Sequence, residues 1–156
     1  MKFVILAAII LIVAFYVIRN SNHKKAAIDN IVIGNEFLEK NKKNEGVLET
    51  ASGLQYQMLN KGESDIHPSA SSTVKVHYHG TLLDGTVFDS SVDRNEPISF
   101  PLNRVIRGWT EGVQLMVVGD KFKFFIPSKL AYGNSPAGVI EPGSLLVFEV
   151  ELLAIQ

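Results

Sequence analysis

Few residues in this chain are equipped for chemistry, and most of those are aromatic. The segment Val105-Ile106-Arg107-Gly108-Trp109-Thr110-Glu111-Gly112-Val113-Gln114-Leu115-Met116 carries the only tryptophan, set between glycines. From Trp109 the apolar positions recur at Val113 and Met116, spacings of four and three that mark one face of a short helix. Trp109 therefore falls in the first turn, beside free backbone N–H groups. Two readings stand for a lone indole there: a core residue, since aromatics dominate cores, or the flat floor of an apolar pocket walled by Val105 and Ile106. His77 and His79 lie two apart on one strand face and are metal-ligating types, but no third ligand accompanies them, and exposed histidines are the simpler reading. Asp89 follows an apolar strand, where a carboxylate ordinarily caps a turn. The chain has no cysteine, which excludes disulfides, thiol catalysis and zinc–thiolate centres.

The elements that position these residues change character along the chain. Phe3 to Ile18 is an uninterrupted apolar and aromatic run with Lys2 before it and Arg19, His23, Lys24 and Lys25 after it. It lies near the lower limit of a membrane span, roughly 17 to 25 residues, and exceeds a cleavable signal core of about 7 to 15. No small-x-small cleavage pattern follows, so the run reads as an uncleaved anchor, with a cleaved signal as the alternative. The positive charges after it favour a cytoplasmic main domain, whereas the short signal-like amino end favours export. Ala26 to Lys43 is amphipathic and helical through Ile28, Ile31, Val32, Phe37 and Leu38, with Gly34 weakening its middle by about 1 kcal/mol.

From Gly46 the pattern becomes that of strands. Leu54, Tyr56 and Met58 share one face, as do Val74, Val76 and Tyr78, which turns Tyr78 inward and both histidines outward. Asp84-Gly85 is a hairpin turn signal. Ile98 and Phe100 alternate again, Phe122, Phe124 and Ile126 share a face, a long Gly- and Pro-containing loop spans Pro127 to Gly143, and Leu146, Phe148, Val150 and Leu152 close the chain. The expected class is α+β, an antiparallel sheet folded over one short helix. Division is expected at 1–19 (anchor or signal), 20–45 (helical linker) and 46–156 (the sheet domain). A net charge of -1 without a long basic run argues against nucleic acid as a partner.

Five stretches in order, Val76-His77-Tyr78-His79-Gly80, Phe88-Asp89-Ser90-Ser91, Val105-Ile106-Arg107-Gly108-Trp109, Ala131-Tyr132-Gly133 and Leu146-Val147-Phe148-Glu149-Val150-Glu151-Leu152, resemble the FK506-binding family of peptidyl-prolyl cis-trans isomerases. The resemblance covers about Gly46 to Gln156. Asn41 to Tyr56 and Phe100-Pro101-Leu102-Asn103 look like its bacterial branch, including macrophage infectivity potentiator-like proteins, in which a helical amino-terminal segment often dimerises. The resemblance implies a half-barrel of five or six antiparallel strands around the helix, preceded by a hydrophobic helix and an amphipathic linker helix. It implies a site of Tyr78, Asp89, Ile106, Trp109 and Tyr132, with Phe88, Arg94, Ile98, Phe100, Val105, Ile140 and Phe148 binding substrate. It also implies no metal or other cofactor, proline-containing polypeptides as substrates, FK506-like macrolides as ligands, and a homodimer as one assembly. Ile98 stands where eukaryotic members commonly carry an aromatic, the Tyr132-to-Ile140 flap is slightly shortened, and a flap histidine is missing near Pro136 and Ala137. These departures are expected to alter drug affinity and substrate preference more than basic catalysis.

Such a pocket suits X-Pro isomerisation. The amide must twist over a barrier of roughly 18 to 20 kcal/mol, and the twisted state, having lost resonance, is less charge-separated than the planar one. A dry aromatic pocket therefore disfavours the ground state relative to the twisted one, with no nucleophile required. On the resemblance, the Ile106 N–H and the Tyr132 hydroxyl bind the carbonyls flanking proline, and Asp89 faces the rotating carbonyl while bonding Tyr78 or Arg94. The expected activity is that of an isomerase assisting folding near a membrane. A non-catalytic chaperone or partner-binding module of the same fold is the alternative. The expected location is a bacterial inner membrane, with residues 3–18 as the span and the domain periplasmic; a soluble periplasmic form or the cytoplasmic face are the alternatives.

Overall fold

The computed structural model describes the backbone of residues 2–156, and the side chains of all of these except 2–4, 6 and 7. The chain runs through helix α1 (Lys2–Asn41), strands β1 (Val47–Glu49), β2 (Gln55–Asn60), β3 (Thr73–Thr81), β4 (Val87–Ser90) and β5 (Ile98–Pro101), helix α2 (Arg107–Val113), and strands β6 (Lys121–Ile126) and β7 (Leu146–Ile155), with 3₁₀ turns at Leu102–Arg104 and Ser128–Leu130. The seven strands form one sheet in the order β1-β2-β6-β7-β3-β4, with β5 also paired to β3. Every pairing is antiparallel. The sheet thus has more strands than the five or six expected. The brief β1, of three residues, is too short to announce itself by alternation.

The central strands obey the period of two. Val74, Val76 and Tyr78 of β3 and Leu146, Phe148, Val150 and Leu152 of β7 are buried on one face. That face closes over α2, which buries Trp109 and Val113. Seven residues are too few for a helix to persist alone, so packing holds it. The packing is close because glycines face the sheet: a Cβ on Gly108 would stand 2.5 Å from Ile126, and one on Gly112 would stand 2.6 Å from Phe124. The Thr110 hydroxyl donates to the Leu102 carbonyl (2.5 Å), and Glu111 accepts from Thr50 (2.6 Å) and Ser52 (2.8 Å), tying the helix to both flanks.

On the other face, Phe125 of β6 joins Leu38 of α1 and Leu145 in a second apolar cluster, with Phe37 and Val147 against it. The fully buried Gln55 amide donates to the Leu38 carbonyl (2.9 Å) and to Glu49 (2.7 Å), and its oxygen accepts from Asn41 (2.9 Å). A buried amide satisfied in this way fixes the end of α1 against β2. The two helical pieces expected before the sheet are one continuous helix. Gly34, which weakens it locally, is where it approaches the domain: a Cβ there would stand 3.2 Å from Leu145.

In the expected anchor, Phe3 to Ile18, the backbone is helical and the side chains of residues 3, 4, 6 and 7 lie outside the described ones. Its described members Ile5, Ile9 to Val13 and Phe15 to Ile18 are exposed. Among the described residues no helix is long and apolar enough to cross a membrane.

Candidate active site

The inner face of the sheet, α2 and the loop between β6 and β7 line an open cavity of about 470 Å³. It is lined by Tyr78, Asp89, Phe100, Arg104, Val105, Ile106, Trp109, Tyr132 and Phe148. Its floor is Trp109, only 4% exposed. The indole stands edge-to-face with Tyr78 (5.3 Å, 85°), Phe100 (5.6 Å, 85°) and Phe148 (5.3 Å, 81°). These are the favoured geometries of aromatic pairs, in which the positive edge of one ring meets the negative face of another. The indole N–H is buried without a hydrogen-bond partner, so shape rather than polar contact holds the ring.

The sheet sets the walls by register. Tyr78 on β3 faces Val150 of β7, and Gly80 faces Phe148. Gly80 has to be glycine for the rings to meet above it, because a Cβ would stand 2.7 Å from Phe88 and 2.8 Å from Phe148. Phe88 then packs edge-on against Phe148 (5.2 Å, 83°).

One wall is polar. The Tyr78 hydroxyl donates to Asp89 Oδ2 at 2.5 Å, while Arg94 donates to Asp89 Oδ1 at 2.6 Å and to the Tyr78 oxygen at 3.3 Å. Burial pushes the Asp89 carboxyl up, but the bonds from Tyr78 and Arg94 outweigh it and hold the group below its ordinary range. Burial, and then the bond to Asp89, push the Tyr78 phenol up. The Arg94 guanidinium is raised by its bonds to Asp89 and Tyr78. At neutral pH the wall therefore holds a carboxylate, a neutral phenol and a guanidinium. Asp89 and Arg94 are each nearly half exposed, so their pairing is worth little as stability and acts chiefly as geometry.

Of the residues expected at the site, Tyr78, Asp89, Phe100, Val105, Ile106, Trp109, Tyr132 and Phe148 line the cavity together. Phe88 and Arg94 stand behind Phe148 and Asp89. Ile98 lies on β5 opposite Val76, more than a third exposed, and Ile140 is buried in the main core; neither lines the cavity.

Two contributors were not foreseen. Arg104 lines the cavity from the 3₁₀ turn that follows β5, where no periodicity points to it. Ser91 is fully buried and organises Tyr78: its hydroxyl accepts from the Tyr78 N–H (2.8 Å) and meets His77 Nδ1 (2.7 Å), while its own N–H donates to the Tyr78 carbonyl (2.9 Å). His77 and His79, expected to be exposed, are half-buried and bonded to Ser91 and Ser90. Among the described residues no group of three or more His, Cys, Asp and Glu could hold a metal.

The geometry agrees with known proteins. Residues 64–153 match the family model of FKBP-type peptidyl-prolyl cis-trans isomerases, and residues 11–58 match the domain amino terminal to those isomerases. FKBP-type peptidyl-prolyl cis-trans isomerase FkpA of Aeromonas hydrophila is 62% identical over 132 residues, 85% of this chain and 49% of that protein. Outer membrane protein MIP of Legionella longbeachae is 41% identical over 88% of this chain and 59% of its own length. The crystal structure of FkpA from Escherichia coli superposes with a TM-score of 0.84 at 42% identity, covering 95% of this chain and 71% of that one. The chain spans about half the length of the curated relatives it matches. Sequence, fold and aromatic cavity converge, and this chain belongs to the FKBP-type peptidyl-prolyl cis-trans isomerase family.

Proposed function

We propose that this chain accelerates X-Pro isomerisation in folding polypeptides through the Trp109 cavity, without a covalent intermediate. The observation that carries this reading is the grouping of Tyr78, Phe100, Trp109 and Phe148 around one cavity, with Asp89 on its wall. The proline ring rests on the indole, and the surrounding rings exclude the water that otherwise stabilises the planar amide. The Ile106 N–H, at the uncapped start of α2, and the Tyr132 hydroxyl, on the rim, receive the carbonyls on either side of the proline. The rotating carbonyl passes Asp89, whose bonds to Tyr78 and Arg94 keep the carboxylate from following it. Holding the ring while the preceding carbonyl turns is a positioning effect. An FK506-like macrolide fills the same cavity and alters the emission of Trp109, the only indole present.

The proposed setting is the bacterial envelope, with the domain periplasmic and the exposed apolar residues between Ile5 and Ile18 meeting lipid. Release as a soluble periplasmic protein after cleavage is the alternative. The relative named as an outer membrane protein supports an envelope setting.

The test is a refolding reaction limited by prolyl isomerisation, run with the full chain, Trp109→Ala and Asp89→Ala. Acceleration by wild type that both variants mostly lose supports the reading. A wild type that binds unfolded chains yet leaves the slow phase unchanged is a holding module, and the enzymatic reading then fails.

A further inference from the structure

The loop between β6 and β7 carries Tyr132 to the cavity rim, yet it is long, and its own structure is a 3₁₀ turn, the bridge from Ala137 to Ile140 and a few turn hydrogen bonds. Loops of this kind stay ordered when something outside them ties them down. Arg107 of α2 does so at Lys129, and a second tie comes from more than a hundred residues upstream. The Asn30 side-chain amide of α1 donates to the Pro142 carbonyl at 2.9 Å. The next residue, Gly143 (φ 78°), meets the helix backbone so closely that a Cβ would stand 2.3 Å from the Ala27 carbonyl oxygen. The Gly143 N–H in turn donates to the Gly133 carbonyl at 2.8 Å, directly beside Tyr132. Ala27 is itself buried, and Leu145, at the far end of the loop, is gripped by Leu38 and Phe125.

We propose that α1 is a working part of the isomerase site, with Asn30 as a positioning residue that sets the Tyr132 rim through Pro142, Gly143 and Gly133. The inference rests on the functional reading above and deepens it: the helix, which contributes no cavity-lining residue, sets how tightly the rim closes on substrate. A hydroxyl that receives a substrate carbonyl has to be held to within about 0.5 Å by such support. Within the loop, the Gly133 N–H donates to the Ser128 carbonyl at 2.8 Å and the Ser135 N–H donates to the Tyr132 carbonyl at 3.1 Å. The Asn30 chain adds a tie from outside the loop, reaching Tyr132 through Pro142, Gly143 and the Gly133 carbonyl.

The test uses the full chain with Asn30→Ala and Asn30→Asp, each alone and combined with Tyr132→Phe, and measures kcat and KM on a short proline-containing peptide. Asn30→Ala is expected to lower kcat/KM about 2- to 10-fold, the range set by one lost hydrogen bond, chiefly through KM. Asn30→Asp keeps the shape, loses the donor and is expected to do at least as much. In the Tyr132→Phe background the same substitutions change little, because the route ends at that hydroxyl. Unaltered kinetics, or equal losses in both backgrounds, overturn the inference. Amide exchange over residues 132–143 decides it without turnover: faster exchange in Asn30→Ala supports it, and unchanged exchange overturns it. A wild type that does not isomerise at all defeats the functional reading, while the exchange result still decides this one.

Discussion

Gly112 of α2 lies directly on the ring of Phe124, so close that a Cβ would stand 2.6 Å from its Cε1 atom. Phe124 is fully buried and has no direction in which to yield. Gly112→Ala should therefore destabilise the domain by about 1–2 kcal/mol net, since overpacking outweighs the gain in helix propensity. Urea denaturation checks this, and the loss should be accompanied by weaker catalysis, because α2 carries Trp109 as it is displaced.

The polar wall predicts the pH behaviour. Asp89 lies below its ordinary value, so the stability it contributes is fully present above the unfolded carboxylate pKa of about 3.9 and is lost as pH falls through the folded value. Tyr78 lies above its ordinary value, so its contribution is present below about pH 10 and is lost as pH rises through the folded value. Between these limits neither group changes charge, and kcat/KM should stay flat from about pH 5 to pH 9. In Tyr78→Phe the carboxylate loses one of the bonds that depress it, and the acid limb of the profile should move to higher pH. A pH–rate profile of both proteins measures this.

Ser91 should matter more than its size suggests. Its hydroxyl is the acceptor for the buried Tyr78 N–H and the partner of His77. Ser91→Ala leaves the Tyr78 amide unpaired away from water, at a cost of about 1–3 kcal/mol. Equilibrium unfolding should register that loss, and kcat/KM should fall with it as Tyr78 loses its fixed place beside Asp89.

The sheet and the centre of the site were legible because they follow short-range rules. Alternation placed Val74, Val76 and Tyr78 inward, the three–four spacing placed Trp109 on a helix, and Asp84-Gly85 marked the turn that forms, with Thr86 N–H donating to Asp84 at 2.9 Å. The family motifs brought Tyr78, Asp89 and Trp109 to one cavity. What escaped lies in irregular segments without a period, or in contacts far apart in sequence. Arg104 reaches the cavity only because β5 ends in a 3₁₀ turn beneath it. Ile140 was expected at the site, but the loop's own turn folds it into the core. The unity of α1 was hidden by the change from an apolar run to an amphipathic pattern near residue 19, while Gly34, which reads as a weak point in a lone helix, is a place of close approach in the folded one.

The continuity of α1 has a consequence for reach. A helix of 40 residues is about 60 Å long, and among its described side chains the first buried one is Ala27. From Ile5 to Ala27 it extends roughly 33 Å as a stiff arm, where a flexible tether of the same residues would collapse to a fluctuating coil. Whatever grips the apolar end therefore holds the aromatic cavity at one radius, at a fixed standoff instead of within a diffuse cloud.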